Sequence, residues 1–138
     1  MAKITKELAV EEFNRFAEKL KIKARKLAKL EAEKDLFIQL MLEGNITIDD
    51  EGIVTYKLDS PIIDDNENVV LSELKFRSRK FSVDEVNKAM GSDKKRELDK
   101  TLDVLALLTK SNAAFVKKID SDEFTDISNS LMAFYLPR

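Results

Sequence analysis

From residue 5 to residue 43 the chain runs without a glycine or a proline and is dense in Ala, Leu, Glu, Lys and Arg, the residues that lose least on entering a helix. This predicts one long helix closed by Gly44-Asn45. With Phe13 at a heptad a position, the a and d sites are Phe13, Phe16, Leu20, Lys23, Leu27, Leu30, Lys34, Phe37 and Met41, and seven of these nine are apolar. That is an imperfect coiled-coil seam. A helix of this length would span roughly 58 Å, against a diameter of about 37 Å for a compact domain of this size. It is therefore expected to protrude, bend or pair with another chain, and Phe13, Phe16, Leu20, Leu27, Leu30 and Phe37 are the candidate partner-binding stripe. Residues 1–45 form one expected unit and residues 46–138 a second, small α+β domain.

After Gly44 the apolar period switches to two. Ile46-Thr47-Ile48, the acidic turn Asp49-Asp50-Glu51-Gly52 and the run Ile53 to Leu58 read as a β-hairpin, with Val54, Tyr56 and Leu58 on one face. Asp59-Ser60-Pro61 is expected to end that strand. A second acidic turn, Asp64 to Asn68, leads into a strand over 69–77 with Val70, Leu74 and Phe76 on one face. Ser82-Val83-Asp84-Glu85 has the spacing of a capping box, and Gly91 offers a stop. A helix over 93–110 follows, striped by Leu98, Leu102, Leu105 and Leu108. Ala113 to Ile119 is a further helix, and Asp120 or Ser121 caps a last one carrying Phe124, Ile127, Leu131 and Phe134. The fold class is α+β and mostly helical, with a long N-terminal helix, a small antiparallel three-stranded sheet and C-terminal helices.

The chemical inventory narrows function further. With neither Cys nor His, the chain lacks thiolate nucleophiles, disulfides, the usual general base and the commonest transition-metal ligand. Asp64, Asn66 and Asn68 match the opening of a calcium loop, but the position needing Gly is Val69 and the one needing a bidentate Glu is Lys75. A solvated turn is the better account. No phosphate-loop, dinucleotide, serine-hydrolase or zinc-protease motif occurs, so the chain is read as non-enzymatic, with no cofactor, metal or small-molecule substrate. Lys19, Lys21, Lys23, Arg25, Lys26 and Lys29 form a basic run uninterrupted by acids. A solvated or partner-facing surface explains it better than nucleic-acid binding, because the chain is net −2 with a pI near 5.4. Lys75, Arg77, Arg79 and Lys80 are a smaller cluster, read as charge protecting an edge strand. No apolar run reaches the roughly 18 residues of a membrane span, and no secretory leader is evident; a cytoplasmic location is expected.

The segment Tyr56 to Ile63, a polar turn and Val70 to Arg77 together resemble the opening of the Mu-like phage tail assembly chaperones. In that family a strand reading leucine, two residues, proline, isoleucine is followed by a turn and a strand ending leucine-x-x-arginine. The matching positions are Leu58, Pro61, Ile62, Leu74 and Arg77. The leucine-rich helix, the alanine/leucine segment and the aromatic-ended last helix of the family are similar to Leu102–Leu108, Ala113–Ile119 and Leu131–Tyr135. The similarity spans about residues 54–136. The chain departs from the pattern in the turn, where Asp64-Asp65-Asn66 stands for the usual glycine, and in carrying residues 1–45 ahead of the first strand. The resemblance implies a non-catalytic chaperone in a bacterial host cytoplasm, of phage or prophage origin. Its partners would be tape-measure and tail-tube proteins, with homo-oligomerisation through the helical seam; it would not remain in the finished tail. The alternative is a structural tail or baseplate component, or a coiled-coil adaptor, retained in an assembled particle.

Overall fold

A computed structural model describes residues 4–91 and 96–136. The gapless N-terminal segment forms three helices: α1 (Lys6–Lys19), α2 (Ala24–Lys29) and α3 (Glu31–Glu43). The single helix expected over 5–43 is thus broken twice. At the first break Lys21 adopts φ 58°, and the N–H groups of Lys21 and Ile22 return to the carbonyls of Glu18 and Ala17 at 3.1 and 3.0 Å. This is the Schellman ending, in which a left-handed residue lets two amides satisfy the last helical carbonyls. Ile22, just beyond it, is buried. Apolar burial drives the break: folding α1 back on α3 puts Phe13, Phe16 and Phe37 together, with ring centroids 5.0 Å apart for Phe13 and Phe37 and 5.1 Å for Phe16 and Phe37. A straight helix would leave all three in water, at about 1.5–3 kcal/mol per side chain.

After Gly44 (φ 89°) the chain enters β1 (Ile46–Ile48), β2 (Val54–Ile63) and β3 (Val69–Lys75), an antiparallel sheet in the order β1-β2-β3. Tyr56 is the register anchor, facing Ile46 on one side and Leu74 on the other. The two turns are the same device. Asp49 and Asp64 each accept, on one side-chain oxygen, the N–H groups two and four residues on, all at 2.9 Å. The strand β2 does not stop at Asp59-Ser60-Pro61 as expected. The pairing shifts register between Lys57 and Ile62, so Pro61 occupies an irregular stretch where its missing N–H interrupts no ladder bond.

Ser82 and Glu85 form the expected capping box of α4 (Val83–Met90). α5 runs over Glu97–Thr109, shorter than the helix expected over 93–110, of which residues 93–95 lie outside the described residues. Leu102, Leu105 and Leu108 of its stripe are buried, whereas Leu98 is exposed. Asn112 caps the short α6 (Ala113–Val116), and Asp120 caps α7 (Ser121–Ile127). The last helix then widens into a π turn at Ser128–Met132 before α8 (Ala133–Tyr135). That turn packs on α3, and Phe134 joins the N-terminal aromatic cluster, 5.5 Å from Phe13 and 6.0 Å from Phe37.

One core therefore runs through the chain, and residues 1–45 are not a separate protruding unit. Phe13, Phe16, Leu20, Leu30 and Phe37 are buried within it and Leu27 is half-buried against it. The stripe expected to meet a partner is used by the chain's own C-terminal helix, which supplies the apolar length that a neighbouring sheet alone could not.

Candidate functional site

The residues after β3 build a charged knot. Arg77 donates to both carboxylate oxygens of Glu85, at 2.6 Å from Nη1 to Oε2 and 3.0 Å from Nη2 to Oε1, the two-pronged geometry that makes arginine–carboxylate pairs specific. Its guanidinium carbon lies 4.5 Å from the Phe81 ring centroid, within cation–π range, and Nη2 also donates to the Lys80 carbonyl. The Arg77 backbone N–H donates to the Leu108 carbonyl at 2.9 Å, fastening the sheet to α5. Glu85 additionally accepts from Arg79 and from the Ser82 amide. These donors, Arg77 first, hold the Glu85 carboxyl well below the usual carboxylate range.

The knot positions one wall of a cleft of about 320 Å³ lined by Lys26, Lys80, Phe81, Val83, Val86, Asn87, Tyr135 and Leu136. The floor is apolar, and among the described residues no carboxylate lines it. Lys80 Nζ donates to the Lys21 carbonyl at 3.1 Å, and Lys26 Nζ to the Leu136 carbonyl at 2.7 Å. Through these bonds the basic run 19–29 and the cluster 75–80, far apart in sequence, meet at one corner of the molecule. Tyr135 stacks on Phe76 with centroids 5.4 Å apart, and burial pushes its phenol far above the ordinary tyrosine range, so it stays neutral.

A second polar centre ties α7 to the sheet. Glu123, 6% exposed, accepts the backbone N–H groups of Asp59 and Ser60 and the Tyr56 hydroxyl. Those amides lie in the irregular stretch of β2 around Pro61, where the ladder offers them no partner. Burial, with the nearby Glu123 charge, drives the Tyr56 phenol far above its ordinary range. The site can orient and rigidify; all of its groups are occupied with one another.

Among the positions that carry the family resemblance, Leu58, Ile62 and Leu74 point into the core, Pro61 is exposed in the irregular stretch and Arg77 is the centre of the knot. The charge at Arg77 thus serves an internal junction, not only the protection of an edge. Sequence reasoning noted both basic clusters but not their meeting, nor the cleft, because nothing local links Lys80 to Lys21 or Tyr135 to Phe81. Among the described residues no group of three or more acidic side chains is placed to hold a metal ion, and no helix is long and apolar enough to cross a membrane.

Fold and site together define an α+β protein with a cleft lined by apolar side chains and by Lys26 and Lys80. No family model matches the chain, and neither a curated protein nor a solved structure matches it.

Proposed function

We propose that this chain is a non-catalytic phage or prophage tail assembly chaperone, acting in the host cytoplasm, that binds the long helical tape-measure protein and helps recruit tail-tube subunits. The observation that carries it is the use made of the resembling positions. Leu58, Ile62 and Leu74 are core residues of a two-stranded unit, and the arginine three residues after Leu74 fastens that unit to the helices that follow. Apart from α4, which stands between the hairpin and the leucine-rich helix, the order of elements, hairpin, leucine-rich helix, short helix and aromatic-ended last helix, is the order the resemblance implies. The inward-facing helical seam leaves client binding to the surface outside the core, where the cleft beside the knot is one candidate.

The test is affinity capture of the tagged protein from cells expressing the neighbouring phage genes, with mass spectrometry of the bound fraction and of purified particles. Recovery of the tape-measure protein with the tube subunit, and absence from finished particles, is the expected result. Stoichiometric presence in particles would overturn it in favour of a structural component.

A further inference from the structure

We infer that the outer edge of β3 pairs with the same edge of a second copy of this chain, joining two three-stranded sheets into one of six strands. β3 borders β2 on one side and no strand on the other. The Phe76 N–H donates to the Val54 carbonyl at 2.9 Å, so Phe76 and Leu74 turn their backbone groups toward β2, and Glu73 and Lys75, in the alternate positions, turn theirs outward. The next outward amide is that of Arg77, and the Leu108 carbonyl takes it. The N–H and C=O groups of Glu73 and Lys75 on that side have no partner among the described residues. An open row of this kind is a template for another strand unless side chains oppose it.

Charge decides what that strand is. Glu73 and Lys75 are exposed on the solvent face of the sheet, with the buried Leu74 between them on the other face. Among the described residues neither side chain is engaged in an ion pair or a hydrogen bond. An edge carrying lysine alone repels its own copy; here the neighbour on the same face has the opposite sign. Two β3 strands running antiparallel about a two-fold axis at Leu74 place each Glu73 directly opposite Lys75 of the second copy, about 5 Å away. Those are also the residues whose outward backbone groups are exchanged, so one register satisfies ladder and charge together. A slip by one residue sets an outward position against an inward one, and a slip by two sets Glu73 against Glu73 or Lys75 against Lys75. A patch complementary to itself is the signature of a two-fold contact, which favours a second copy over a strand of another protein. The Arg77 bond to α5 confines the pairing to residues 72–76, so the contact is small and the dimer weak. The inference is independent of the chaperone reading.

Analytical ultracentrifugation of the full-length protein between about 5 μM and about 500 μM should show the mass rising from one chain toward two. Over the same range, amide exchange at Glu73 and Lys75 should slow. Glu73→Lys and Lys75→Glu each set like charges opposite one another and should weaken self-association roughly tenfold or more, with the thermal unfolding midpoint of the dilute protein kept. The swap Glu73→Lys/Lys75→Glu restores opposite signs and should dimerise as the wild type does. An equimolar mixture of the two single variants should form a dimer that neither forms alone. A wild type that stays monomeric at the highest concentration, exchange at Glu73 and Lys75 that ignores concentration, single variants that associate undiminished, or a swap and mixture that fail to recover would each overturn the assignment.

Discussion

The chain leaves α1 and α3 by the same backbone manoeuvre with different residues. After α3 it is Gly44 at φ 89°, with the amides of Gly44 and Asn45 returning to Met41 and Leu40; after α1 it is Lys21 at φ 58°, with Lys21 and Ile22 returning to Glu18 and Ala17. The two hairpin turns repeat the contrast, with Gly52 at φ 80° in one and Glu67 at φ 64° in the other. A side chain in the left-handed region costs about 1–2 kcal/mol. The corner at Lys21 tolerates that because closing it buries the aromatic face of α1, which offsets the strain several times over. Where the surrounding packing is that strong, a turn needs no glycine to mark it.

Predictions that break or sharpen this contrast can be ranked by size. If α1 closes for the sake of the aromatic cluster, Phe13→Ala, Phe37→Ala and Phe134→Ala should each cost about 3–5 kcal/mol. Chemical denaturation of each should remain one transition reporting loss of the whole fold; a separate early transition for residues 1–45 would show that the two regions do not share a core. Next comes Gly44→Ala, which places a methyl at φ 89° and should destabilise by about 1–2 kcal/mol, although nothing lies within 4 Å of the added carbon. In the opposite sense, Lys21→Gly and Glu67→Gly should each stabilise by roughly 0.5–1 kcal/mol, measured as a rise in denaturation midpoint at constant slope. Smallest is the acid limb. The Glu85 carboxyl titrates lower in the folded than in the unfolded chain, so its contribution is present above the ordinary carboxylate range and is lost as pH falls below it. Glu85→Gln should flatten that part of the stability-against-pH curve, and an unchanged slope would show the knot to be solvated.

The contrast also explains how much of the molecule was legible in advance. Strand positions, the capping box at Ser82, the cap at Asp120, offered there beside Ser121, and most of the inward stripes of α5 and the last helix follow from local periodicity and side-chain chemistry, and they were read within a few residues. The break at Lys21 was not, because lysine is a good helix former and the preference that overrides it comes from Phe134, at the other end of the chain. The extension of β2 past Pro61 was hidden for the same reason: Glu123, from α7, satisfies amides that a sheet partner would otherwise need. The candidate cleft depends wholly on such distant pairings. Its residues come from α2, the loop before α4, α4 itself and the last turn, and no spacing within any one of them announces it.

The shared aromatic cluster has a consequence for how the protein is made. Phe13 and Phe16 emerge from the ribosome before the sheet, but two of the rings they pack against, Phe134 and Tyr135, follow only after the sheet and α4 to α7 have been made. Until then the nascent chain carries an unburied apolar face on α1 and α3, so the core cannot close before Phe134 and Tyr135 have left the ribosome. A ribosome stalled short of residue 134 would hold a chain that cannot complete its core, and that is the stage at which this protein is itself most exposed to aggregation.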